Sequence, residues 1–319
     1  MENLILSFSV VFPLFIQLVL GYFLKRVNLL DDHTLQMCNK LVFRVFLPTL
    51  LFLNVYNADI QETFNGRFLL YAGLAVFLSF CGLMVLSPLF EKDCKKRGVL
   101  VQGIFRSNFA LFGVPVAISL FGEGNIGIAS ILTAVVIPMF NVLSVVTLEV
   151  FRGGKPNAKK MLVGVLKNPL IIGTMSGLAL LLLGIRLPGV VESAMQSISK
   201  VATPMSLLVL GGTFEFSKLR GNLREMAIGI VGRLIIVPAV FLPIFAALGF
   251  RSVEMGAALV MLASPTAVSS FSMAIEMDAD STLAGQIVVG TTLFCVVTMF
   301  FWIFLLKEIG WMLIRCHST

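Results

Sequence analysis

Three consecutive residues, Arg106, Ser107 and Asn108, stand in the middle of an apolar run, Val99 to Leu120, that is long enough to cross a membrane. A cation at that depth costs about 2.5–3.5 kcal/mol on insertion scales, so an arginine there is a functional candidate by default. Facing a ligand, Arg106 favours a dicarboxylate over a bulky aromatic acid; otherwise it snorkels to the surface or pairs with an acid from another span. Gly113-Val114-Pro115 follows in the same run. Proline removes an amide donor and clashes with the carbonyl four residues back, and glycine weakens a helix further. A second run, Val253 to Ile275, has the same fault at ASPTAVSS, Ala263 to Ser270.

A helix restarted inside the bilayer begins with unpartnered amides and a partial positive charge, for which a carboxylate is the natural ligand. Asn108, Ser107, Ser264, Thr266, Ser269 and Ser270, with Pro265 at the break, are therefore candidate substrate-binding residues. The plainer alternative is that these hydroxyls and amides only re-satisfy broken backbone. On an unbroken helix Arg106 and Asn108 point roughly 200° apart, so both meet one ligand only if the helix breaks between them.

These residues need a membrane around them, and composition supplies one. Of 319 residues 58% are hydrophobic and 13% charged, where a soluble domain is about a quarter charged. Mean hydropathy is +0.98. The net charge of +7 is no nucleic-acid signal, because Lys and Arg lie in short links between apolar runs. The five cysteines are scattered, without CxxC, and read as small apolar filler.

Ten apolar spans are expected, at about 4–24, 36–56, 67–89, 98–120, 125–150, 168–185, 192–214, 225–248, 253–275 and 281–306. Fourteen Lys and Arg fall in the links on one side, against five on the other. The bias places basic loops in the cytoplasm and both termini outside a cell membrane. A basic mid-chain link, 152–167, separates residues 1–151 from 168–319, five spans each. Five is odd, so the second set runs opposite to the first. RVFLPTLLFL (Arg44–Leu53) resembles KVATPMSLLV (Lys200–Val209), with Pro48 and Pro204 in register, and FGEGN after the fourth span corresponds to EMDAD after the ninth. Two interrupted spans in corresponding places of inverted repeats are the pattern of a secondary carrier's binding site.

The ordered set of motifs resembles the auxin efflux carrier family, which includes plant auxin exporters and bacterial malate or malonate permeases. It comprises Pro13-Leu14 and Gly21-Tyr22; Cys38-Asn39-Lys40 leading to Leu47-Pro48; Asn108 with Gly113-Val114-Pro115; Glu149 to Gly153; Lys167-Asn168-Pro169; Arg233 followed by Pro238; and Ala263-Ser264-Pro265. The resemblance implies an all-α integral membrane fold similar to bile-acid and sodium/proton carriers. Its ten helices form two inverted five-helix repeats. Broken spans 4 and 9 cross inside a transport domain of spans 3–5 and 8–10, and spans 1, 2, 6 and 7 form a scaffold. Two departures matter: Ser107 replaces the proline that plant members place before the crossover asparagine, and the stretch from Arg67 lacks their early acid in span 3.

Other membrane charges read as structural. Glu149 and Arg233, near the same ends of their spans, are expected to form an ion pair. Asp280 or Ser281 reads as an N-cap. GTMSG, Gly173 to Gly177, is a GxxxG that lets span 6 pack closely on another helix. Ser197–Lys200 matches SxxK without the companion motifs, and no HExxH, P-loop or nucleotide fingerprint occurs, so no enzyme, metal site or cofactor is expected. A channel would show a polar stripe or charge ring, and a sensor would carry a soluble output domain. The expected function is alternating-access transport of small carboxylates such as malate or malonate, coupled to a proton or sodium ion, by a protein compatible with a homodimer; export of auxin-like weak acids is the alternative.

Overall fold

A computed structural model describes residues 2–57, 65–109, 111, 116, 126–152 and 158–312. The apolar runs are helices, and short polar side chains set their starts. α1 spans Glu2–Arg26. α2 (Asp32–Tyr56) begins where Asp31 accepts the Thr34 amide at 2.7 Å. α3 (Gly66–Phe90) is capped by Asn65 on Phe68, and α4 (Cys94–Phe105) by Asp93 on Lys95. α5 (Ile126–Phe151) and a short α6 (Ala158–Leu166) follow. α7 (Pro169–Leu183) opens with Asn168 as cap and proline in the first turn, and ends at Gly184 with φ 65°. α8 covers Gly189–Thr213. α9 (223–247) leads to α10 (Ser252–Ala263) and α11 (Ser269–Glu276). α12 (Ser281–Glu308) starts where Asp280 caps Leu283 at 2.8 Å, as expected.

Among the described residues, five segments are long and apolar enough to span a membrane: Asp32–Tyr56, Gly66–Phe90, Ile131–Phe151, Phe216–Ala247 and Ser281–Glu308. Pro169–Leu183 and Ser252–Ala263 are shorter apolar helices. The mid-chain link holds a helix, α6, that the charge run of its first half hides; Leu162 and Leu166 leave it with an exposed apolar side. Gly113, Pro115 and the FGEGN link lie outside the described residues.

Helix ends meet in two groups. At one end Asn39 reaches Glu276 (3.1 Å), Lys95 reaches Asp278 (2.9 Å) and Lys96 reaches Asn222 (2.8 Å). At the other, Asn65 reaches Glu254, Arg67 reaches the Leu248 carbonyl (3.0 Å) and the Tyr56 hydroxyl accepts the Leu187 amide (2.8 Å). Lys95 holds the exposed Asp278 carboxyl below its ordinary pKa through that hydrogen bond and its charge.

Two helix pairs touch backbone to backbone. On α8, a Cβ at Gly211 would lie 2.0 Å from the Leu18 carbonyl of α1. On α7, Cβ atoms at Gly173 and Gly177 would lie 2.5 Å from the carbonyls of Pro48 and Phe52 on α2, so the GxxxG packs as expected. Gly211→Ala should therefore push α1 from α8, destabilising the fold by about 1–3 kcal/mol. Gly82→Ala, whose Cβ would meet nothing within 4 Å, should melt like the parent. Parallel thermal unfolding of the two variants checks this.

Two π-turns, Val42–Phe46 in α2 and Gly232–Ile236 in α9, precede Pro48 and Pro238. Each proline opposes the carbonyl four residues back, which falls inside the widened turn, so the turn absorbs the clash. In α9 the released Leu234 carbonyl accepts the Trp302 indole N–H at 2.9 Å.

Candidate functional site

The apolar run around Arg106 does break, and the break is closed by its counterpart. α4 ends at Phe105, and Arg106 turns to an extended conformation, φ −84° and ψ 117°. α10 ends at Ala263, and Ser264 is likewise extended. Ser107 and Thr266 form an antiparallel bridge, and the Asn108 amide donates to the Pro265 carbonyl at 2.8 Å. Each unwound segment thus supplies backbone partners to the other. The Thr266 hydroxyl donates to the Gly103 carbonyl at 2.7 Å, and its amide donates to the Thr291 hydroxyl at 3.1 Å.

Four carbonyls at the two helix ends converge on one side chain, Arg233, which is 1% exposed and projects from the π-turn of α9. Its guanidinium donates to Ser264 O (2.7 Å) and Met261 O (2.8 Å) at the end of α10, and to Phe105 O (3.2 Å) and Ile104 O (3.3 Å) at the end of α4. Carbonyl ends of helices are their negative poles, so a delocalised cation between two of them is favoured by charge and geometry together. This corrects the expected Glu149–Arg233 pair. Glu149 instead meets Arg152 at 3.1 Å, one turn along at a half-exposed helix end, while Arg233 is drawn inward by the unpaired carbonyls.

Arg106 is 2% exposed and faces the other way. Its Nη2 donates to Asn141 Oδ1 and to Ser269 Oγ, both at 2.8 Å, and Nη1 points at the Met273 sulfur. It neither snorkels nor meets an acid: no carboxylate pairs with it among the described residues. Asn141 is itself held by Thr174, to whose hydroxyl it donates at 3.2 Å.

Arg106, Ser107, Asn108 and Ser269 line a cavity of about 100 Å³, together with Asn54 on α2, Asn141 on α5 and Thr203 and Ser206 on α8. Ala267 and Val268 complete the wall, and Val268 begins α11 without a side-chain cap. The Ser107 hydroxyl and the Asn54 amide nitrogen are buried without a partner. A guanidinium, an uncapped helix N-terminus, an unpaired amide donor and an unpaired hydroxyl thus share one wall or face one another. At roughly 30 Å³ per water the cavity holds about three waters, far below a drug-sized pocket.

The expected substrate set therefore divides. Arg106, Ser107, Asn108 and Ser269 reach the cavity. Ser264, Pro265 and Thr266 are committed to the crossing, and Ser270, 2% exposed with an unpartnered hydroxyl, lies behind the lining. Pro48 packs on Gly173, and Pro204 sits inside α8 next to Thr203. Asn54, Asn141, Thr203 and Ser206 escaped the sequence reading. An asparagine well inside an apolar span was a signal available for Asn141, whereas Asn54 lies two residues from the end of its helix.

Residues 6–303 match the membrane transport protein family. An uncharacterized transporter of Methanocaldococcus jannaschii is 22% identical over 314 residues, covering 96% of this chain and 99% of that protein. One of Methanothermobacter thermautotrophicus is 23% identical over 302 residues, 93% and 97% of the two chains. YfdV of Escherichia coli, also an uncharacterized transporter, is 21% identical over 313 residues, again 93% and 97%. The match takes in both broken helices and every helix that lines the cavity, and the chain belongs to the membrane transport proteins of the auxin efflux carrier family: a multi-pass transporter, not an enzyme.

Proposed function

We propose that this protein is a secondary carrier of small dicarboxylates, of the size of malonate or malate. The observation that carries the reading is Arg106: a buried guanidinium with only neutral acceptors, opening on a small cavity beside the uncapped N-terminus of α11. A resident acid would neutralise that charge permanently; none meets it among the described residues, which leaves the countercharge to the substrate. One carboxylate would meet Arg106 and Asn108, the other the Ser107 hydroxyl and the Asn54 amide nitrogen, the cavity's unpartnered polar atoms among the described residues. The cavity lies between α2 and α8 on one side and α4, α5 and α11 on the other. That position supports alternating access, with the crossed helices moving against a scaffold of spans 1, 2, 6 and 7. The paired close contacts, α1 with α8 and α2 with α7, support two inverted repeats, because exchanging the repeats exchanges the pairs. The two groups of helix ends support the expected sidedness, with basic links in the cytoplasm.

Uptake into liposomes tests the proposal. Labelled malonate or malate should accumulate against its gradient when a proton or sodium gradient is imposed, and a thermal-shift screen with and without sodium should identify the coupling ion. Equilibration without accumulation under both gradients would rule out coupled transport and leave a channel or a facilitating carrier. A stability increase with aromatic acids but none with dicarboxylates would return the reading to auxin-like substrates.

A further inference from the structure

A second cavity, of about 650 Å³, lies on the opposite face of the crossing. α3 and α9 are pinned together at one end, where Phe68 stacks edge-on against Phe245 at 5.9 Å and Arg67 holds the Leu248 carbonyl. Toward their other ends they splay, and the cavity fills the gap. Leu78, Gly82 and Phe90 form one wall, Ala227, Ile236 and Phe241 the other, and Ile104 the floor. Ser79, the polar side chain on this surface, turns its hydroxyl onto the Ala75 carbonyl at 2.7 Å. From residue 78 to 90 is about 18 Å of helix, and from 227 to 241 about 21 Å. One leaflet of the hydrocarbon core is half of about 30 Å, so the groove is as deep as an acyl chain is long.

The open end is basic. The segment Glu91–Arg97 carries four cations and two acids, and Lys218–Glu225 carries three cations and one acid. Lys92, just past Phe90, and Arg224, one turn before Ala227, flank the mouth; with Arg220 they are exposed and enter no ion pair among the described residues. Glu91 is engaged by the Asp93 amide, and Glu225 lies beside Arg224.

We infer that this groove is a binding site for one anionic phospholipid, with an acyl chain between α3 and α9 and its phosphate between Lys92 and Arg224. Leu78, Leu86, Ile236 and Val240 along its walls are about half exposed, so the groove opens sideways, and in a bilayer what covers an open apolar groove is lipid. A chain seated there packs against Ile104 and the π-turn that carries Arg233, so the lipid braces the crossing from behind. The inference is independent of which substrate the carrier moves.

Native mass spectrometry of the purified protein tests it, using phosphatidylglycerol and phosphatidylcholine with identical chains. Phosphatidylglycerol should be retained and phosphatidylcholine lost. Neutralising the mouth with Lys92→Gln and Arg224→Gln should weaken phosphatidylglycerol retention about thirtyfold, from about 1 kcal/mol for each basic residue. Gly82→Phe, directed into open space, should block retention, while Gly82→Ala should not. Equal retention of the two lipids would overturn the inference, as would undiminished phosphatidylglycerol binding by the double neutralised variant, whose substitutions are on the surface and leave packing intact.

Discussion

Arg106→Ala should abolish the thermal shift produced by malonate or malate without unfolding the protein. Truncating one partner of a buried, hydrogen-bonded charge pair costs about 2–5 kcal/mol, which is roughly 30-fold to several thousand-fold in affinity. The unliganded protein has little to lose. Its buried guanidinium carries an insertion cost of about 2.5–3.5 kcal/mol that no acid offsets. Against that stand charge-assisted hydrogen bonds to Asn141 and Ser269, worth about 1.5–3 kcal/mol each. At mid-range the hydrogen bonds outweigh the insertion cost by about 1.5 kcal/mol, so Arg106→Met, which keeps most of the volume, should melt within a few degrees of the parent and still show no ligand shift. Arg106→Lys should retain part of the binding, since a point charge remains but the planar fork is gone. Undiminished dicarboxylate affinity in Arg106→Ala would remove this residue from the site, and with it the main support for a dicarboxylate substrate.

The crossing was legible in the sequence because its signals are local. Ser107, Asn108, Ser264 and Pro265 interrupt runs that are otherwise uniformly apolar, and a polar or proline interruption at mid-depth has few explanations. GxxxG and the cap at Asp280 were legible for the same reason: a few adjacent residues define each. What stayed hidden depends on which residues meet across the bundle. Arg233 and Glu149 sit at comparable depths, and charge alone pairs them. Only the crossing creates two sets of unpaired carbonyls, from helices 128 and 31 residues away in sequence, that compete for the same guanidinium and win. The task of Asn141 was hidden likewise, since it holds Arg106 from a different helix. Ser264 and Thr266 carry the right groups for a ligand, but their hydroxyls are taken by backbone carbonyls at 2.7 Å or less. The alternative stated for them from sequence, that they re-satisfy broken backbone, is what the geometry of Thr266 displays, while the Ser264 hydroxyl doubles the bond its own amide makes to the Val260 carbonyl.

The two buried arginines then make opposite predictions. Arg233 carries the same desolvation cost as Arg106, but four carbonyls depend on it, at the negative ends of two helices. A buried acceptor left without a donor costs about 1–3 kcal/mol, and a cation at a partly buried helix C-terminus contributes up to about 2 kcal/mol. At mid-range the four acceptors together cost about 8 kcal/mol, and after about 3 kcal/mol of desolvation is recovered the loss is about 5 kcal/mol, a large share of the 5–15 kcal/mol that holds a typical fold together. Arg233→Lys keeps the charge, yet three donors on one nitrogen cannot reach both helix ends as the guanidinium fork does. Its melting temperature should fall on the order of 10 °C. Arg233→Met should fall further or fail to accumulate in the membrane. Because the crossing positions Ser107, Asn108 and Ser269, Arg233→Lys should also weaken dicarboxylate binding, although it never touches the cavity. Thermal unfolding of Arg106→Met and Arg233→Lys side by side is the decisive measurement. Equal melting of the two variants would show that Arg233 does not join the broken helices, whereas a large drop confined to Arg233→Lys separates the residue that builds the crossing from the one that uses it.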